Sequence, residues 1–330
     1  EVKDKNGYLK DIHLKGSGKT PFSRSGDGRA TLGPVLREYI ISEYMNSINI
    51  PTTRSLAAIT TGEKVIREKI LPGAILVRTA SSHIRVGTFQ YFAARQMTKE
   101  IKILADYIIE RHFKLSLSSK NIYEKFLMEI IKSQANLISK WMSAGFIHGV
   151  MNTDNTCLSG ETIDYGPCAF LDNFDYNKVF SSIDYQGRYS YKNQPNIILW
   201  NLTRFAETIL PLIDNNLNKS IKKAEEILNE FASIYESNWI SIMGYKLGID
   251  EANKTDKNLI EEFLTLMQNQ QLDFTNSFYS LSFLIEKDQI EKEGPPKSHK
   301  IYSKIKSTDW YAKWTKRLNI NKKNLKKILK

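Results

Sequence analysis

The feature that most constrains this 330-residue chain is a change of hydrophobic period near residue 92. Before it, GYLKDIHLKG (7–16), RSLAAIT (54–60) and GAILVRTA (73–80) read as strands, with KVIREKI between the last two. PVLREYIISEYMNSI (34–48) sets Ile41, Tyr44, Met45 and Ile48 at i, i+3, i+4 and i+7, one apolar stripe of a helix. After residue 92 the long segments 97–113, 121–145, 196–213 and 222–243 all carry helical periodicity. The expected fold class is therefore α+β. Residues 1–92 form a small sheet-plus-helix lobe, and 93–330 form a larger, mostly helical one. Two turn-rich gaps, 146–195 and 287–300, interrupt the helical part; the second reads as a linker or surface loop.

Charge narrows the function class. The net charge of +11 invites a nucleic-acid reading, but Lys297–Lys330 alone holds twelve Lys or Arg against Asp309. That leaves 35 basic and 35 acidic residues before it, a neutral body with a basic tail, so no nucleic-acid partner is expected. The run KKNLKKILK reads as a solvated helix face or one end of a larger domain. No apolar stretch approaches the roughly 18 residues of a membrane span, and the opening residues do not read as a secretory signal. With only Cys157 and Cys168, a disulfide scaffold is excluded, and both thiols read as small buried hydrophobes in a reducing compartment. That compartment is expected to be bacterial cytoplasm or, in a eukaryote, the mitochondrion.

GSGKT at Gly16–Thr20 looks like the end of a phosphate-cradling loop. The glycine needed five residues before the Gly-Lys pair is His13 instead, so that reading is dropped. Three other pieces arrive in the chain order of a protein kinase. Lys15 ends a strand and Glu38 follows 23 residues later in a helix, as a phosphate-holding lysine and its glutamate do. His148-Gly-Val-Met-Asn-Thr-Asp-Asn155 keeps the His-to-Asn spacing of a catalytic loop, but Val150 stands where the base would be. Asp154 is the carboxylate left in that loop to replace it. Asp164-Tyr-Gly166 then offers a second carboxylate on a turn, and an Asn carbonyl with an Asp carboxylate suits a hard cation. Each piece alone is a common turn or surface pair; the ordered set is much rarer.

Long blocks of the chain resemble the selenoprotein O family. They include LKGSGKTPFSRSGDGRATLGPVLREYIISE (14–43), LVRTASSHIRVGTF (76–89), HGVMNTDN (148–155), DYGPCAFLD (164–172) and YQGRYSYKNQPNIILWNLTRFAE (185–207). The resemblance implies a kinase-like fold that binds ATP in the reverse sense. It also implies transfer of AMP to Ser, Thr or Tyr hydroxyls of protein substrates with release of pyrophosphate. Carried onto this sequence, it implies that Lys15, paired with Glu38, holds phosphate and that Asp27 and Gly28 contact the nucleotide. Arg78 and Arg85 would grip the triphosphate, Asp154 would be the general base, and Asn155 and Asp164 would hold Mg²⁺ or Mn²⁺. The family's Gly-rich nucleotide segment and C-terminal region have no counterpart between residues 1 and 330, so the resemblance also implies an excised core or a degenerate product. A phosphotransferase, a dead kinase used as a binding module and a basic nucleic-acid binder are the competing readings. Val150 and the Arg78/Arg85 pair argue against the first, and the complete Asp154/Asn155/Asp164 set argues against the second.

Overall fold

Strand alternation decides which side chains of the N-terminal sheet face inward. A computed structural model describes residues 1–330 except 21–22, 24–25, 114, 116, 283–295 and 320–330, so the KKNLKKILK tail and most of the expected 287–300 linker lie outside the described residues. Strands β1 (Val2–Lys3), β2 (Leu9–Lys15), β3 (Ala30–Thr31), β4 (Arg54–Ile66) and β5 (Ile70–Ala80) form an antiparallel sheet in which β2, β3 and β4 all pair with β5. Along β5, Ala74, Leu76, Arg78 and Ala80 are buried at every second position, so Arg78 lies in the inward row. Pairing of Lys15 with Leu76 and of His13 with Arg78 fixes the register of β2 against it.

Helix α1 (Leu32–Ser47) covers this sheet, with Val35, Ala74 and Leu76 at the centre of their shared core. Its location agrees with the sequence expectation, but its buried face does not. Val35, Glu38, Ser42 and Met45 point inward, while Tyr44 and Ile48 are exposed. The apolar stripe was misplaced because a carboxylate, Glu38, occupies the inward row, where it finds cationic partners on β2 and β5.

Contacts divide the chain into two units, each a mixture of α and β elements with a small antiparallel sheet. The first takes Glu1–Leu137, Val150–Pro167 and Asn196–Phe231; the second takes Ile138–Gly149, Cys168–Pro195 and Ala232–Lys330. Helices α2 (Val86–Ala93) and α3 (Thr98–His112) complete the N-terminal part of the first unit. Helices α4 (Ile122–Ala144), α5 (Gln194–Ile213) and α6 (Leu217–Lys246) contribute residues to each. Their bounds follow the helical periodicity of the sequence to within a few residues, α6 running longer at both ends.

The second unit pairs β6 (Phe146–Ile147) with β7 (Ala169–Phe170) and adds α7 (Lys257–Asn269), α8 (Phe274–Leu281), α9 (Pro296–Lys306) and α10 (Asp309–Asn319). Trp310 stacks on Phe263 at 4.3 Å between ring centres, and the buried Trp314 Nε1 donates to the Leu247 carbonyl at 2.7 Å. These aromatic anchors seat α10 with its indole donor satisfied. Among the described residues no helix is long and apolar enough to cross a membrane.

Candidate active site

Five predicted residues of the first unit meet in one ionic cluster. Lys15 Nζ lies 2.5 Å from Glu38 Oε2 and 2.5 Å from Asp164 Oδ1. Arg78 donates to Glu38 Oε1 at 2.7 Å and to Asp164 Oδ1 at 2.8 Å, while Arg85 reaches Asp164 Oδ2 at 3.5 Å. Three cations thus surround two carboxylates, leaving one positive charge in surplus. Arg78 and Glu38 are almost fully buried, whereas the Lys15 and Arg85 side chains keep 35% and 24% of their surface. The cations with room for a ligand are therefore Lys15 and Arg85, and Arg78 stands behind them.

Electrostatics follow from that enclosure. Burial works to raise the Asp164 carboxyl, but the charges of Arg78, Lys15 and Arg85 outweigh it and hold the group well below the usual carboxylate range. For Arg78, burial opposes the charge while Asp164 and Glu38 more than restore it, so the guanidinium titrates above its ordinary value. His13 Nδ1 lies 3.2 Å from an Arg78 nitrogen, which can only donate, so the ring accepts and is neutral. Burial, then the Arg78 charge, pull its pKa down to about 4. The Arg78 Nε–H has no partner among the described residues.

The turn bearing Asp164 is held from several sides. Asp164 sits at φ 63°, a left-handed conformation that a non-glycine residue keeps only under constraint. The constraint comes from its neighbours: Tyr165 is buried with its hydroxyl on Thr52 Oγ1, and Arg37 Nε donates to the Gly166 carbonyl at 2.8 Å. Thr53 N donates to Thr162 O at 3.0 Å and ties the approach to the turn.

Asp154 and Asn155 lie in the short 3₁₀ turn Thr153–Asn155. Asn155 Nδ2 donates to the Val150 carbonyl at 2.8 Å, which commits its NH₂ end and leaves its carbonyl oxygen as an acceptor. Asp154 comes against the first turn of α2 so closely that a Cβ on Gly87 would lie 2.1 Å from Asp154 Oδ1. Any side chain at position 87 would have to displace the Asp154 carboxylate. Thr156 accepts Val86 N on its carbonyl at 3.0 Å, and Asn201 Nδ2 donates to Met151 O and Thr156 Oγ1 at 3.0 and 2.8 Å. Gly87 and Asn201 are thus positioning residues that the sequence pattern did not single out. Both fall within blocks that carry the family resemblance, but only the folded contacts distinguish them from their neighbours.

Other predicted residues fall elsewhere. Asp27 accepts both Arg67 guanidinium nitrogens at 2.9 Å, on an exposed loop, and the Arg67 bonds hold its carboxyl below the ordinary range. Gly28, at φ 68°, sits where a Cβ would strike the Gly18 carbonyl at 2.1 Å, so it closes the loop between β2 and β3. No contact joins Asp27 or Gly28 to the ionic cluster among the described bonds. His148, paired with Asn155 by spacing, is buried in the second unit and stacks on Trp141 at 5.3 Å. Cys157 and Cys168 are both buried and free, and burial pushes the Cys157 thiol up to about 12, which makes it inert.

Lys15 thus bridges the carboxylate of the α1 glutamate and that of the Asp-Tyr-Gly turn. The family description "Protein adenylyltransferase SelO" matches residues 1–330, and the chain belongs to that family. It is 54% identical over 308 residues to a protein named protein nucleotidyltransferase YdiU from Clostridium botulinum (strain 657 / Type Ba4), covering 93% of this chain and 61% of that one. Proteins of the same name from Clostridium perfringens (strain SM101 / Type A) and Halalkalibacterium halodurans are 53% and 52% identical over 314 residues, 95% of this chain and 62% of theirs. The chain spans about three fifths of the length of these curated relatives.

Proposed function

We propose that this chain carries the catalytic core of an ATP-dependent protein adenylyltransferase with a kinase-like fold, residues 1–92 forming the small lobe and 93–330 the helical one. The observation that carries the reading is the cationic surplus around Asp164, with the two partly exposed cations Lys15 and Arg85 on it. An ATP triphosphate is the ligand class that such a cluster fits, since charge-assisted donors suit its oxygens and pyrophosphate leaves with both outer phosphates. Lys15 and Arg85 bind the phosphates, and Arg78, braced by Glu38, keeps Asp164 in place.

The metal reading rests on chemistry of the donor set. Asn155 keeps its carbonyl oxygen, and among the described ion pairs Asp164 Oδ2 is met by Arg85 at 3.5 Å, so two hard oxygens remain for Mg²⁺ or Mn²⁺. When bound, such an ion neutralises phosphate charge.

In the reaction, a Ser, Thr or Tyr hydroxyl oxygen attacks the α-phosphorus as the α–β bridging bond breaks. Pyrophosphate departs and the hydroxyl proton passes to the Asp154 carboxylate. The missing side chain of Gly87 leaves room for that carboxylate, and Asn201 ties down the chain on either side of it through Met151 and Thr156. The bacterial origin of the relatives favours bacterial cytoplasm as the setting. ATP labelled separately at the α- and γ-phosphates tests the reading. Label on protein from the α position is expected; label from γ makes the chain a kinase, and label from neither makes it a binding module or an incomplete fragment. Asp154→Ala should lower AMP transfer by about 10²–10⁴-fold with ATP affinity retained. Loss of ATP binding in parallel with activity would make Asp154 a ligand instead of a base.

A further inference from the structure

Asp154 also lines a cavity of about 760 Å³ in the first unit, walled by α2 and the residues after it. Arg85 and Asp154 line it together with Tyr91, Phe92 and Arg95. The Arg95 guanidinium lies 3.6 Å above the Tyr91 ring, and one of its nitrogens donates to the Tyr91 carbonyl at 2.9 Å. The ring and the carbonyl fix the plane of the guanidinium, and no carboxylate neutralises it among the described ion pairs. Asp154 is the one carboxylate of the lining.

We propose that this cavity is the docking groove for the acceptor polypeptide, and that Arg95 selects segments with an Asp or Glu three or four residues from the hydroxyl that receives AMP. The proposal rests on Asp154 being the base, because a hydroxyl that gives it a proton must enter the space Asp154 lines. The spacing comes from geometry. Gly87, against which Asp154 lies, and Arg95 are eight residues apart, the first six steps along α2 and the last two through the turn after Ala93, about 12 Å at the helical rise of 1.5 Å per residue. An extended peptide covers that distance in three or four residues at about 3.3–3.6 Å each. Tyr91 and Phe92, between the two ends, offer apolar surface to whatever side chain lies between hydroxyl and acid. A basic segment would instead bring like charge against Arg85 and Arg95, which disfavours it.

Fluorescein-labelled peptides with a single Ser, and Asp or Lys placed one to six residues to either side, test this by anisotropy without needing catalysis. Asp at three or four residues on one side should bind roughly 10–100-fold tighter than Lys there, the worth of one charge-assisted contact. Arg95→Glu should invert that preference and leave ATP affinity unchanged, which a merely structural role for Arg95 would not do. Equal affinity for Asp and Lys peptides, no dependence on position, or displacement of the peptide by a saturating non-hydrolysable ATP analogue would overturn the proposal. The α-labelled ATP assay runs in parallel. Peptides that obey the charge rule without receiving label would leave the groove standing as a peptide site and remove the transfer reading.

Discussion

Arg78 in the first unit and Lys246 in the second are both cations withdrawn from water, and the fold treats them in opposite ways. Arg78 meets two carboxylates and titrates above its ordinary value despite burial. Lys246 has a half-buried stem, and its amine donates to the Ser143 carbonyl between the rings of Phe274 and Phe278, at 4.6 and 3.9 Å. With no carboxylate against it among the described ion pairs, burial pulls its pKa down to about 7. The difference teaches where charge is being kept and where it is only tolerated. A buried charge surrounded by fixed counter-charges is organised for an ionic ligand or for holding other ionic groups; one held by rings and a carbonyl is a packing solution.

The largest test of this contrast is to remove each charge while keeping the volume. Arg78→Met leaves Glu38 and Asp164 short of a partner in a buried setting and should destabilise the protein by about 3–5 kcal/mol in urea titrations. Lys246→Met should be neutral or stabilising by about 1 kcal/mol, since the amine's desolvation cost disappears and apolar contacts to both rings remain. Equal destabilisation in both variants would erase the distinction.

An intermediate effect separates the cluster's two kinds of arginine. Arg85 is partly exposed and makes one long contact to Asp164, so Arg85→Ala should spare stability. Its ATP affinity should fall roughly 10- to 100-fold, and by much less for adenosine. Calorimetric titration of both ligands reads this directly. Equal losses for the two would assign Arg85 to architecture, alongside Arg78.

What the sequence disclosed divides along similar lines. Lys15 and Glu38 were legible because a strand end and a helix 23 residues on have a recognisable order, and they lie 2.5 Å apart. Long helices were legible through their period, since a strand alternates every second residue and cannot sustain a 3.6-residue repeat over several turns. The buried face of α1 was not. Tyr44 and Ile48 read as core and are exposed at 50% and 37%, because Glu38 and its partners on other strands determine which face turns inward. Gly87 was equally silent: a Cβ there would come within 2.1 Å of Asp154 Oδ1, 67 positions away, and no local pattern encodes such an approach. Asp27 stood in a segment that resembles the family, and its pairing with Arg67 is likewise invisible until the loop between β2 and β3 meets the hairpin of β4 and β5.

The smallest expected effect is also the most specific to Lys246. In the unfolded chain this lysine titrates near its ordinary 10.5, whereas in the fold burial lowers it to about 7. Between those values the unfolded chain binds a proton that the folded one does not, so stability rises with pH across that window. Below about pH 7 both states are protonated and the full cost of enclosing the charge is present; by about pH 10.5 the cost has gone. Other groups also titrate in this range, so the readout is the difference between wild type and Lys246→Met. The variant should exceed wild type in Tm at pH 7 by roughly 2–4 °C for each kcal/mol of relieved cost, and the gap should close as pH approaches 10. A gap that stays constant with pH would mean that the amine remains charged between Phe274 and Phe278, held there by the ring faces and the Ser143 carbonyl. Lys246 would then join Arg78 as a cation the fold sustains.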